Sequence, residues 1–325
     1  MTQISDLFTE EAISRQIYDP NDPTVRVVED PKLPRDVIVD GKYHTFYGLD
    51  PNSIRTTKNY VPREGDIIFG SWCRSGMTWN KQMVYSLLHP EQSLVDRLQK
   101  DNLALHDIMP IAEVAGGAAI EKMPSPRVVN HHGLPENVPW STKCKYIWVV
   151  RNPKDSCASL YVYMTKWEPS NFENGSFEVW LDLFLKGETP YCSYWKQQLG
   201  WLEHMNDANV LLIKYEDILQ DHRAHIKRLA GFLGGKAAET AKDERLLEKV
   251  VEQSSFPTMK ANTSKYIADL GWRNKENEFI RKGVKNDWRR FFTKEMSERF
   301  DRKYRETFRG TIMENWWKED MKWID

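Results

Sequence analysis

The stretch Asp66 to Trp79, D-I-I-F-G-S-W-C-R-S-G-M-T-W, constrains the fold most, because an apolar strand passes through a short Gly/Ser loop directly into a helix. Such a strand, buried on both faces, belongs to a parallel sheet in which covering helices return the chain. The loop also suits an anion. Successive backbone N–H groups and the first helical turn present unsatisfied donors and the positive end of the dipole. Gly76 permits close backbone approach, Ser75 and Thr78 add hydroxyls, and Arg74 adds fixed positive charge. An ordinary strand-to-helix turn accounts for the same Gly and Ser. The Walker pattern of ATP and GTP sites is not met: Gly70 and Gly76 stand one residue too far apart, and Met77 replaces the lysine. A nucleotide other than a triphosphate is favoured, and a small-molecule kinase is disfavoured.

Along the chain, apolar β-branched runs alternate with amphipathic segments. Strands are predicted over 66–71, 127–131, 145–150 and 209–214, and helices over 78–89, 153–163, 176–187, 190–204, 217–234 and 240–252. This pattern gives an α/β fold, a central parallel β-sheet flanked by helices with a P-loop-like loop at one edge. With 325 residues, 40% of them hydrophobic, the chain can bury one large core, and 1–325 is read as a single domain. Residues 1–60, rich in Pro and Asp, read as a loosely structured arm wrapping it.

No stretch approaches the apolar length of a membrane span, and the N-terminus lacks the order of a secretory signal, so a soluble, cytoplasmic protein is expected. Lys and Arg total 46 against 47 Asp and Glu, a net charge of -1 that argues against nucleic acid or membrane as partner. Any anion site must be local. Cys73, Cys144, Cys157 and Cys192 lack C-x-x-C spacing, which speaks against a disulfide framework or a metal site.

A second strand, Lys145 to Val150, ends in R-N-P-K-D-S-C-A-S. Pro153 suits the first helical turn and Asp155 complements the dipole, so Arg151 emerges at the carboxyl edge of the sheet, where ligands of open α/β folds bind. Ser159 follows two helical turns on. A surface ion pair between Arg151 and Asp155 is the plainer reading of the segment alone. Near the C-terminus Arg281, Lys282 and Gly283 put two cations beside a flexible backbone, a clamp for a doubly charged phosphate or simply a solvated basic loop.

In this order the segments resemble the cytosolic sulfotransferase family. Its phosphosulfate loop Y-P-K-S-G-T-T-W corresponds to Trp72 to Trp79, and its R-N-x-K-D-x-x-x-S to Arg151, Asn152, Lys154, Asp155 and Ser159. Y-E-D corresponds to Tyr215, Glu216 and Asp217; T-S-F to Ser254, Ser255 and Phe256; and R-K-G to Arg281, Lys282 and Gly283. The resemblance covers nearly the whole chain. It implies a metal-independent enzyme that moves a sulfuryl group from 3′-phosphoadenosine 5′-phosphosulfate to a small phenol, alcohol or amine, leaving adenosine 3′,5′-bisphosphate. Arg74, Ser75, Gly76, Met77 and Thr78 would then enclose the 5′-phosphate, and Trp79 and Phe256 would sandwich the adenine, with Tyr215 and Ser254 nearby. Arg151, Ser159, Arg281, Lys282 and Gly283 would hold the 3′-phosphate.

The stretch Ser125 to Pro135 resembles the family's S-P-R-F-x-K-T-H-x-P and makes His132 the general base. Its neighbour His131 would point to the opposite face of a strand. Two family lysines are replaced, by Arg74 in the loop and by Asn130 beside the histidine; at these catalytic positions Arg74 keeps the charge that stabilises the sulfuryl oxygens, and Asn130 keeps a donor without charge. A catalytically weak relative that merely binds the nucleotide is therefore the alternative reading. Tyr43, Phe46, Tyr161, Tyr163, Trp167 and Tyr266 are candidates for an apolar acceptor pocket, though they serve equally as core. The family's dimerisation segment matches Arg289 to Glu298 with Lys294 where valine is expected, which leaves a homodimer open.

Overall fold

The computed structural model describes residues 19, 21–45, 50–266 and 279–324. Four strands, β4 (Ile67–Ser71), β5 (Val128–His131), β6 (Lys145–Val150) and β7 (Val210–Lys214), form a parallel sheet in the order β5-β4-β6-β7. All four predicted strands are present to within a residue, with β4 central, so the loop after it opens at the middle of the sheet's carboxyl edge. Alternate residues feed two cores. Ile67, Phe69, Ile147, Val149, Leu211 and Ile213 pack under the helices Met77–Leu88, His222–Leu233 and Glu244–Gln253. Ile68, Tyr146, Trp148 and Val150 face the aromatic side built from Trp180, Phe184, Trp195, Trp201 and Phe300. Gly70 must be glycine, because a Cβ there would lie 1.9 Å from the Trp201 ring. Asp66 and Arg127, both fully buried, pair at the foot of β4 and β5 and fix the start of each.

Helix boundaries depart from the sequence reading where local caps intervene. The segment expected as one helix over 217–234 is two, Tyr215–Gln220 and His222–Leu233, because the Asp221 carboxylate accepts the Ala224 N–H and starts a new helix. Asp243 does the same before Glu244–Gln253, following the separate helix Gly235–Lys242. The helix expected from 190 begins at Tyr194, since Tyr191 and Cys192 both take positive φ and Ser193 caps Tyr194–Leu202. Within the expected loose arm, residues 25–45 form an antiparallel sheet, β1 (Val25–Val28), β2 (Asp36–Val39) and β3 (Lys42–Thr45), whose Val37 and Val39 join the aromatic core. Among the described residues no helix is long and apolar enough to cross a membrane.

Candidate active site

A cleft opens at the carboxyl edge of β4, β5 and β6, where open α/β sheets bind their ligands. Its floor is the loop after β4. Gly76 caps the helix Met77–Leu88 with φ 99°, and a Cβ there would lie 2.7 Å from the Tyr215 ring. Ser75 is fully buried with no partner for its hydroxyl, and it lies off the cleft wall. Arg74 takes φ 68°, and its guanidinium stacks on Phe279, donates to the Phe279 carbonyl at 2.7 Å and reaches the Ser159 hydroxyl at 3.5 Å. The cation of the loop therefore leans toward the far wall of the cleft.

The aromatic end is held from behind. Trp79 donates its indole N–H to the Ser254 carbonyl at 2.7 Å and meets Tyr215 edge-on at 5.8 Å. Trp79, Tyr215 and Phe256 line the cleft; Ser254 is buried off its wall and acts through its carbonyl. Ser255 caps the helix Phe256–Ala261, which sets Phe256 at its first turn.

The second cradle is built by the R-N-P-K-D segment, most of which never touches the cleft. Asn152 caps the helix Pro153–Lys166 and Lys154 donates to Ser297 and Met321 while pairing with Asp301 at 2.7 Å. Asp155 accepts the backbone N–H groups of Asn286 and Trp288, at 2.7 and 3.0 Å, and so ties down the loop carrying Arg281, Lys282 and Gly283. The surface ion pair with Arg151 is thereby replaced by an internal anchor. Arg151, 7% exposed, lies over the Tyr215 ring and donates to the carbonyls of Arg74 and Val284, leaving its Nε unpartnered. Ser159, Arg281, Lys282 and Gly283 complete this wall. The Asp287 carboxylate holds Arg281 at 2.6 Å and Lys282 at 2.7 Å. Gly283 has φ 64° and a Cβ there would meet Phe256 at 2.4 Å.

His132 and His131 face opposite ways, as strand alternation requires. His131 meets the Tyr60 hydroxyl at 3.0 Å away from the cleft. His132 lines the cleft, and its Nδ1 lies 2.9 Å from the Ser71 carbonyl, an acceptor only, so Nδ1 carries the proton and Nε2 is the free base. Its backbone N–H is held by Glu113 at 2.9 Å. Burial first, and then the neighbouring Lys81 and Arg74, lower the imidazole from 6.5 to about 4, partly offset by the Ser71 bond. It is neutral at physiological pH. Asn130, fully buried on the same wall, has no partner for either amide atom.

Of the aromatic candidates for an acceptor pocket, Tyr163 lines the cleft. Tyr266 does not: it is 1% exposed and donates its hydroxyl to Gln82 at 2.9 Å, a core contact. Trp167 is core, Tyr161 donates to the Gly175 carbonyl, and Tyr43 sits off the cleft wall with its carbonyl accepting the Cys192 N–H. Phe46 lies outside the described residues. Several wall residues carry no motif, among them Lys81, His106, Ile111, Tyr191 and Met259. For Lys81 a signal existed, since it follows Met77 and Thr78 by one helical turn and shares their face.

The residues fit a bisphosphorylated nucleoside: a loop at a helix start, a wall carrying Arg74, Arg151, Arg281 and Lys282, two glycines that a Cβ would close, and aromatic rings beside them. Residues 64–312 match the sulfotransferase domain family. The chain is 30% identical over 267 residues to Sulfotransferase 1E1 of Cavia porcellus, covering 78% of this chain and 87% of the relative. It is 32% identical over 292 residues to Sulfotransferase 2B1 of Mus musculus, covering 85% and 83%. Among solved structures, mouse sulfotransferase SULT7A1 complexed with PAP superposes with a TM-score of 0.69 at 24% identity, over 91% of this chain and 98% of that one. Retinol dehydratase in complex with androsterone and inactive cofactor PAP gives a TM-score of 0.69 at 20% identity, over 87% and 92%. The chain therefore belongs to the sulfotransferase family, enzymes that draw their sulfuryl group from 3′-phosphoadenosine 5′-phosphosulfate.

Proposed function

We propose that the protein transfers the sulfuryl group of 3′-phosphoadenosine 5′-phosphosulfate to the hydroxyl or amine of a small apolar acceptor, with His132 as general base. The observation that carries this reading is the His132 imidazole, neutral and held by Ser71 in the tautomer that leaves Nε2 bare toward the cleft. The donor supplies a sulfuryl group activated by its phosphoanhydride. Ser75, Gly76, Met77 and Thr78 are assigned to its 5′-phosphate, Trp79, Phe256 and Tyr215 to the adenine, and Arg151, Ser159, Arg281, Lys282 and Gly283 to the 3′-phosphate. His132 Nε2 takes the acceptor's proton as the acceptor oxygen or nitrogen bonds to sulfur. The bond from sulfur to the bridging oxygen breaks in the same step and its electron pair leaves with the bisphosphate. Ile111, Tyr163, Tyr191 and Met259 offer the acceptor a largely apolar wall. The cytoplasm, where thiols stay reduced, fits four cysteines that are all unpaired.

Incubation with the donor and a panel of phenols, steroids, retinoids and amines, read by mass spectrometry, is expected to yield a sulfated product. Tight bisphosphate binding with no product from any acceptor would instead mark a nucleotide-binding protein.

The pH profile is a second expectation. Because only neutral His132 accepts a proton, kcat/KM should lose nothing to protonation of the base where an ordinary imidazole titrates, and its acid limb should lie at about 4. An acid limb at the ordinary imidazole value of 6.5 would contradict the buried base.

A further inference from the structure

Lys81 is 2% exposed, yet it lines the cleft beside His132 and Asn130. Its ammonium has three donors, and the Met109 carbonyl takes one at 2.8 Å. A cation so deeply buried is costly unless opposing charge compensates it. Within the protein that charge is Glu113, whose Oε1 is already taken by the backbone N–H groups of His132 and Gly133. An anion entering the cleft would complete the balance. Across the same wall the Asn130 amide, where the resembling family has lysine, is neutral and unpartnered. One position has lost a cation and a neighbouring helix face has supplied one.

We propose that Lys81 is a catalytic residue, the cation facing the transferring sulfuryl group, in compensation for the neutral Asn130. It stabilises negative charge on the sulfuryl oxygens as the bond to the bisphosphate lengthens, and it keeps its own protons throughout. The inference rests on the sulfuryl transfer proposed above, with His132 as base.

The groups facing Lys81 are Glu113 from the helix Ala112–Glu121, His106 from Leu105–Ile108 and His132 after β5. Burial holds His106 near 3 and His132 near 4, so both are neutral where Lys81 titrates. Burial lowers Lys81 itself to about 7, partly opposed by Glu113. Its charge is present below that pH and is lost as pH rises, so kcat/KM for the donor, which reports the free enzyme, should decline through about 7. In the complex, the donor's negative charge favours the ammonium, and the same limb in kcat should lie at higher pH.

The test is Lys81→Met in the full chain, a change that removes charge and keeps bulk. Expected are a fall in kcat/KM of about 30-fold, the worth of one charge-assisted hydrogen bond, and loss of the alkaline limb. In calorimetry the variant should bind 3′-phosphoadenosine 5′-phosphosulfate more weakly while adenosine 3′,5′-bisphosphate binds as before. Asn130→Lys added to Lys81→Met should restore most of the rate. An unchanged rate and limb, or equal weakening of both nucleotides with no rescue, overturns the proposal. A wild type without turnover defeats the proposed reaction, and the difference between the two nucleotides then decides on Lys81 by itself.

Discussion

Replacing His132 with alanine is expected to lower kcat by about 10³-fold while leaving the affinity for adenosine 3′,5′-bisphosphate unchanged. The backbone beside the ring is the end of β4, which its pairing with β6 also holds in place. The His132 ring bonds to the Ser71 carbonyl, and the backbone anchors at Glu113 and Gln197 use the main chain of residue 132, which alanine retains. The variant should therefore keep its fold and both basic cradles and lose only the acceptor of the attacking group's proton. Single-turnover rates and calorimetry on the same preparation separate the two quantities. A collapse of nucleotide affinity would show that His132 shapes the donor site and would remove it from the role of base.

Arg281→Ala is expected to weaken adenosine 3′,5′-bisphosphate by about 10²-fold, the loss of a two-pronged guanidinium–phosphate contact. Adenosine 5′-phosphate, which lacks the 3′-group, should be little affected. Asp287 keeps Lys282 at 2.7 Å in the variant, so the loop retains an internal ion pair and its two backbone ties to Asp155. Titrating both nucleotides against wild type and variant measures the difference. Equal weakening of the two would place the arginine elsewhere than at the 3′-phosphate.

The sheet was legible in the sequence because its strands are continuous apolar runs, and burial on both faces leaves no other reading for K-Y-I-W-V-V or D-I-I-F. Strand alternation made it legible that only one of His131 and His132 lines the cleft, and the resemblance picked His132. Helix ends were not, since a single carboxylate at Asp221 or Asp243 restarts a helix without disturbing the apolar period. The antiparallel sheet over 25–45 escaped because its strands are four residues each, set among Pro and Asp, and are recognised by pairing with one another rather than by periodicity. Tyr266 and Tyr163 look alike in the sequence; only the partner of each, Gln82 for one and the Arg74 guanidinium for the other, separates core from wall. Lys81 escaped because a lysine in a helix reads as a solvated face until the helix is seen to be buried all round.

Asp155 has a consequence for how the cleft can move. One helical turn bears Arg151 at its entrance and, through this carboxylate, tethers the segment bearing Arg281. Lys154 on that turn is fastened to the C-terminal helix Lys294–Phe308 and to Met321. The two arginines that the proposed function assigns to a 3′-phosphate are thus hinged to a common strut, and an opening of the cleft that leaves this strut intact swings the loop after β4 or the aromatic shelf and keeps those arginines at constant separation.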